Sequence, residues 1–398
     1  MSKTVKAILI VVGFLLTAVI TCIGTLFFVS MSQKIPQSMH PAYRKAVEMQ
    51  AYLETYFIDD YDLQTVMAAA GDGAAAAMVE ATGDKWSHYI SAADMADHEE
   101  FMSNEYVGVG MMVQKVDKGI LITDVEKDGP AWNGGIRVDD VVIEIDGVST
   151  ADLTQDEAAG LVRGEVGTDV HFVVLRGSET VEITATRATF ITKVAEGRML
   201  EGNIGYIVVE NFNAHCADQV LICINDLMAQ GAEALLFDMR FNGGGDKDEM
   251  VKILDVLLPE GEIFRSVDYA GQIELVTSDA DCLDLPMAVI VNEDSYSAAE
   301  FFAAALQEYD VAEIVGVHTG GKGNFQYTLP LSDGSAVVLS AGKYFTPSGK
   351  SLADVGVTPD IEVDLTYEDY VALYYDMLEV ADDEQLQAAV EVLLAKIS

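Results

Sequence analysis

Basic residues are few. The 398-residue chain has 23 Lys plus Arg against 65 Asp plus Glu, a formal net charge of −42. Phosphate contacts need a basic surface, so nucleic-acid binding is excluded as a main function. Cysteines are few too: Cys22, Cys216, Cys223 and Cys282. Cys22 lies in an apolar run, and the other three are an odd number without C-x-x-C spacing. Neither a disulfide framework nor a zinc site is indicated, and no metal or other cofactor is expected. Compositional disorder is excluded as well, because half of the residues are hydrophobic.

What is present begins with an uncharged run, Ala7–Val29, preceded by Lys3 and Lys6. It is long enough to cross a bilayer. Val29-Ser30-Met31 is a poor cleavage site, so an uncleaved transmembrane anchor is expected rather than a signal peptide. Lys3 and Lys6 favour a cytoplasmic N-terminus, although Lys34, Arg44 and Lys45 dilute the asymmetry. The expectation is a single-pass cell-membrane protein with the remainder outside the cytoplasm.

A helical pattern follows over 40–81. From Tyr106 to Arg187 the texture changes to short β-rich runs at 108–113, 119–125, 138–145, 170–175 and 180–186, with a helix at 154–162. That is a compact α+β module of ordinary domain size. Its opening loop, Tyr106-Val107-Gly108-Val109-Gly110, offers backbone N–H groups that suit a carboxylate, beside a strand edge that suits an extended peptide; a plain tight turn is the other reading.

Strands at 203–209, 232–240, 285–291 and 314–317 then alternate with helices at 214–230, 247–258 and 298–306. Such alternation implies right-handed crossovers and a mainly parallel sheet. Phe241-Asn-Gly-Gly-Gly245 leads from a strand into a helix, a position that presents free N–H groups to an anion. It lacks the signatures of a P-loop or a dinucleotide site, so it fits an oxyanion hole better. Ser297 sits where a strand turns into a helix, and Lys322 sits on the glycine-rich turn Gly320–Gly323 after the next strand. Strand pieces at 336–340 and 343–345 and a helical tail over 367–397 complete the chain.

Ser297 and Lys322 are candidates for a Ser/Lys hydrolase. A serine needs a base. Only His215 and His318 lie in the sheet region, and no G-x-S-x-G elbow surrounds Ser297. Lys322 lies among apolar Val315, Val317 and Phe325, where burial lowers a lysine pKa. Two plainer readings stand beside this one. Ser297-x-x-Glu300 is also a capping-box pattern, and Lys322 also reads as a solvated loop lysine. His318 remains open as an alternative base.

The residues resemble those of the carboxy-terminal processing peptidases, or tail-specific proteases. Ser297-Ala-Ala-Glu300 precedes Gly321-Lys-Gly-Asn-Phe-Gln326 with Ser297 and Lys322 separated by 25 positions, as in that family. Asp84–Tyr89 is similar to its Asp-Pro-x-Ser-x-Tyr segment, with Lys85 in place of proline. Tyr106–Arg187 resembles its PDZ domain, and Tyr344-Phe-Thr-Pro-Ser-Gly349 and Val357-Thr-Pro-Asp360 its distal signatures. Two departures stand out: Ser295-Tyr-Ser-Ala-Ala-Glu300 has Tyr296 where a small residue is usual, and Asn324-Phe325 replaces Thr-Val.

The resemblance implies an α/β fold: an N-terminal transmembrane helix, then a PDZ domain (α+β) before a crotonase/ClpP-like α/β serine protease core. The implied division is 1–31 tail and anchor, 32–103 helical region, 104–188 PDZ domain, 189–366 peptidase core and 367–398 C-terminal helices. It implies a serine endopeptidase with Ser297 as nucleophile, Lys322 as general base, Gln326 orienting the lysine and Glu300 supporting the site. Ala298 with Gly243 or Gly244 would form the oxyanion hole. Val107, Gly108, Val109 and Gly110 would receive the C-terminal carboxylate of a protein or peptide substrate. The terminal helices would supply homodimer contacts. The alternative is a membrane-anchored PDZ adaptor whose protease domain is inactive.

Overall fold

The computed structural model describes residues 41–375 and 377–397. They fall into two compact units that meet in sequence at Ala81/Thr82. The first contains helices α1 (Pro41–Tyr56) and α2 (Leu63–Glu80). The helix expected over 40–81 is therefore two helices. Asp62 makes the break: in an extended conformation, it accepts the N–H groups of Gln64 and Thr65 and so caps α2.

The expected architecture is corrected at its N-terminal end. Among the described residues no helix is long and apolar enough to cross a membrane. The longest of them, α2, has 18 residues but includes Gln64, Thr65, Asp72 and Glu80. The expected span at 7–29 lies outside the described residues. What they show is a mixed α/β fold.

In the second unit, β1 (His88–Ile90), α3 (Met95–Ser103) and β2 (Glu105–Gly108) precede the β-rich module. That module holds β3 (Met111–Val116), β4 (Gly119–Val125), α4 (Pro130–Gly134), β5 (Val141–Ile145), β6 (Val148–Ser149), α5 (Gln155–Val162), β7 (Asp169–Arg176) and β8 (Glu179–Thr186). Its antiparallel sheet runs β3-β4-β5-β7-β8, which leaves β3 as an edge. Ile122, Ala131, Val142 and Phe172 fill its core. The expected strand over 108–113 breaks at Gly110, whose φ of 75° needs glycine. Residues before the break pair instead with β9 (Ala188–Ile191).

The remaining chain builds the larger core. Its strands are β10 (Ala195–Leu200), β11 (Ile204–Val209), β12 (Ala234–Asp238), β13 (Gly261–Asp268), β14 (Ile273–Ser278), β15 (Met287–Val291), β16 (Ala312–Gly316), β17 (Asn324–Pro330), β18 (Ala336–Phe345) and β19 (Ile361–Glu362). Its helices are α6 (Cys216–Ala229), α7 (Lys247–Leu257), α8 (Ala298–Glu308), α9 (Tyr367–Tyr374) and α10 (Glu384–Ile397). One sheet runs β10-β11-β12-β15-β16-β19, and every pair except β10–β11 is parallel. Strands β12 and β15 are buried at every residue, as a sheet covered on both faces requires. Ile207, Phe237 and Val289 pack with Phe301, Phe302 and Ile253 on one face; Leu236, Ala288 and Ile290 pack with Leu386, Ala389 and Leu393 of α10 on the other. A second, antiparallel sheet joins β1, β18, β13 and β14, with β17 on β18. It brings the segment just before β1 to the same side as the loop after β16.

One buried ion network ties α10 to the end of β12. Arg240 bonds Asp238 at 2.6 Å and Asp383 at 2.8 Å, and Tyr206 donates to Asp238 at 2.6 Å. All four side chains are buried. The guanidinium holds the Asp238 carboxyl low against the effect of burial. Removing one partner strands the others as uncompensated buried charge. Arg240→Met should therefore lose about 3–5 kcal/mol of stability, read as a lower urea midpoint; an unchanged midpoint would show the network to be dispensable.

Candidate active site

Three neighbouring parallel strands, β12, β15 and β16, deliver their C-terminal loops to one place, the usual location of a site in an open α/β sheet. The first supplies Phe241–Gly245, the second Asn292–Ser297 and the third Thr319–Lys322. Together they border a cleft of about 1020 Å³ lined by Ser297, Lys322, Gln326, Gly243, Gly244 and Trp86, among others.

Ser297 precedes α8 with φ 58° and ψ −122°, a conformation costly for a side chain with a Cβ, by about 1–3 kcal/mol. The neighbourhood compels it. Ser295 Oγ donates to Met239 O at 2.7 Å, Tyr296 N–H donates to Asn242 O at 3.2 Å, and Ser297 N–H donates to Glu300 Oε1 at 3.0 Å. The glycine loop lies close behind: a methyl on Gly244 would meet Ser297 Cβ at 2.7 Å and Ala298 N at 2.8 Å.

Glu300 is fully buried and accepts four hydrogen bonds. Its Oε1 takes the N–H of Ser297 and that of Lys322, the latter at 2.6 Å. Its Oε2 takes the Thr319 hydroxyl and the Gly321 N–H, both at 2.9 Å. Burial pushes its pKa up to about 6, opposed by those same hydrogen bonds. One carboxylate oxygen thus fixes the backbone of both candidate catalytic residues.

Lys322 is half-buried. Its Nζ sits 5.0 Å from the Trp86 ring centre and 5.9 Å from that of Tyr296. Burial pulls its pKa down to about 8, although the charges of Glu300 and Asp84 pull it back up. Tyr344, itself buried, donates to Lys322 O and lies beside the Ser297 side chain. Gln326 Nε2 donates to Asn324 O at 3.0 Å and Ser340 Oγ at 3.3 Å. The Ser340 hydroxyl in turn flanks Asp84, so the amide belongs to a polar network around the lysine and makes no direct bond to Nζ.

The two glycines differ. Gly244 N–H donates to Asn242 Oδ1 at 2.8 Å. The N–H groups of Gly243 and Ala298 have no acceptor among the described residues. His318 is exposed, and its Nε2 lies 3.0 Å from Thr358 Oγ1, away from the cleft lining. Four neighbours escaped the sequence-level assignment of roles: Asp84, Trp86, Thr319 and Tyr344. Asp84, Trp86 and Tyr344 sit inside quoted motifs and Thr319 directly precedes the glycine-rich turn, which was the available signal; only three-dimensional packing shows that these segments converge.

In the β-rich module, Val107, Gly108, Val109 and Gly110 line a separate pocket of about 180 Å³ with Ile120 and Val162. The N–H groups of Val109 and Gly110 have no acceptor among the described residues.

The family model described as Peptidase family S41 matches residues 203–363, and the PDZ domain model matches 121–176. A protein named "Probable CtpA-like serine protease" from Staphylococcus haemolyticus (strain JCSC1435) is 30% identical over 366 residues, covering 91% of this chain and 73% of its own. One of the same name from Staphylococcus aureus (strain COL) is 29% identical, with the same coverage. A solved structure from Bacteroides fragilis NCTC 9343 covers 92% of this chain and 100% of its own at TM-score 0.50 and 17% identity, a likeness of fold. The photosystem II D1 C-terminal processing protease covers 81% and 86% at 25% identity and TM-score 0.45. The chain belongs to peptidase family S41, as a serine-type C-terminal processing peptidase that carries a PDZ domain.

Proposed function

We propose that Ser297 and Lys322 form the catalytic dyad that cleaves protein or peptide chains near their C-termini. In this reading residues 189–366 are the catalytic core and 104–188 the module that captures the tail. The observation that carries it is Glu300 Oε1, which accepts the backbone N–H of both residues while burial lowers the lysine toward neutrality. Neutral Lys322 Nζ takes the Ser297 proton, Oγ adds to the scissile carbonyl, and the acyl group passes to water. The N–H groups of Ala298 and Gly243 receive the oxyanion. Gly244, already bonded to Asn242, shapes the loop instead. Gln326 acts through Ser340 and Asp84, whose charge bears on Lys322. An inactive adaptor has less support, because nucleophile, base and the carboxylate that joins them are all retained.

The tail would add antiparallel to the free edge of β3, beside α5, with its carboxylate on the N–H groups of Val109 and Gly110. The apolar lining of that pocket suits an apolar last residue.

Ser297→Ala and Lys322→Ala should each abolish cleavage of an unfolded protein, while His318→Ala cleaves normally. In wild type, kcat/KM should rise with pH through about 8, as the base loses its proton. Equal cleavage by wild type and Ser297→Ala would remove the nucleophile from this scheme.

The same lysine predicts a stability effect. Its folded pKa of about 8 lies below the ordinary 10.5, so between those values the folded chain holds fewer protons and stability rises with pH. Below about pH 8 the buried ammonium is a full cost. Lys322→Met should melt above wild type at pH 7, the gap closing as pH approaches 10.5. For the tail site, amidating the C-terminus of a peptide substrate should raise its KM at least several-fold; an unchanged KM would rule out carboxylate capture.

A further inference from the structure

Tyr296 directly precedes the nucleophile and is pinned at both ends. Its N–H donates to Asn242 O at 3.2 Å, and its carbonyl accepts the Ala299 N–H at 3.3 Å. The ring packs on Trp86 with centroids 5.2 Å apart. From there the side chain crosses to the glycine loop, where a methyl on Gly243 would come within 2.7 Å of Tyr296 Oη. Both residues line the cleft with Ser297. Among the described residues Tyr296 Oη has no hydrogen-bond partner, and neither does the N–H of Gly243. Two unspent donors therefore lie close together next to the serine: the phenol of its own loop and the N–H of Gly243 on the loop that faces it. A small residue at 296 would leave only the backbone donor.

We infer that Tyr296 Oη is a third donor to the oxyanion. The inference rests on Ser297 being the nucleophile. When Ser297 Oγ bonds to the carbonyl carbon, its proton passes to Lys322 Nζ and the π pair moves onto the carbonyl oxygen. That oxygen then accepts from Ala298 N–H, Gly243 N–H and the Tyr296 hydroxyl. On collapse the π bond re-forms, and the amine leaves with the proton from Lys322. The phenol keeps its proton throughout. Such a donor is strongest where charge develops, so its contribution falls on kcat.

Tyr296→Phe isolates the hydroxyl. It keeps the ring on Trp86 and beside Lys322, and it breaks no hydrogen bond within the described residues, so the variant should melt as wild type does. The test uses the full chain with an unfolded-protein substrate and a fluorophosphonate probe, whose phosphonyl oxygen takes the place of the oxyanion. Tyr296→Phe is expected to lower kcat on the order of 10²-fold, with little change in KM, and to slow labelling of Ser297 similarly. Tyr296→Ala should be no more active than Tyr296→Phe. If wild type labels at Ser297 but Tyr296→Phe labels and cleaves at wild-type rates, this inference fails alone. A probe that leaves wild type unlabelled at Ser297 would defeat the nucleophile assignment and this inference with it. Faster cleavage by Tyr296→Phe or Tyr296→Ala would make the ring an obstruction and also overturn the inference.

Discussion

The buried carboxylate of Glu300 is the constraint on which the site depends. A lone carboxylate in an apolar core is expensive, and here four donors offset the cost. Those donors come from two loops that are 21 or more residues apart along the chain. The requirement to satisfy one buried charge therefore brings the loop after β15 and the loop after β16 into register. The geometry is a by-product of hydrogen-bond satisfaction, which explains why Glu300 can hold Ser297 and Lys322 in place while lying behind the cleft surface.

The sheet sets the stage for that clamp. β12, β15 and β16 are adjacent and parallel, so their C-terminal ends lie side by side. Arg240, at the root of the glycine loop, is anchored by Asp383 and Gln385 near the start of α10. The segment 84–87 is held to β18 through Ser87 Oγ, which accepts the Ser340 N–H. It brings Trp86 against Lys322 and Asp84 into electrostatic reach of it. Burial by these neighbours moves the lysine toward neutrality; no single contact does so.

Much of the core was legible in the sequence. The apolar runs at 285–291 and 314–317 become β15 and β16, and the helix expected at 154–162 is α5, capped by Thr154 with Glu157. The Ser297–Lys322 spacing pointed to one site because the intervening helix returns the chain to the adjacent strand. Less legible was whatever depended on non-local pairing. β13 carries no clean alternation, and it is placed by pairing with distant β18 as well as with its neighbour β14. The two pieces expected at 336–340 and 343–345 are one strand with a bulge near Gly342, where the Phe325 ring leaves no room for a Cβ. The helical tail over 367–397 is likewise two helices, because Asp383 turns inward to Arg240. The difference between Gly243 and Gly244 could not be read from a run of three glycines; it depends on where Asn242 points.

If Ser297 attacks as proposed, the close approach of Gly244 limits the element that can do so. At φ 58° a β-branched residue is disfavoured, and the glycine loop already crowds the serine Cβ. Threonine, chemically an adequate alcohol, would meet both obstacles. Cysteine, with an unbranched Cβ, adds no second γ atom and bears only the backbone cost that serine already bears. The range of nucleophiles open to this scaffold is thus set by backbone shape before reactivity enters, and any exchange of the attacking atom runs through sulfur and away from a secondary alcohol.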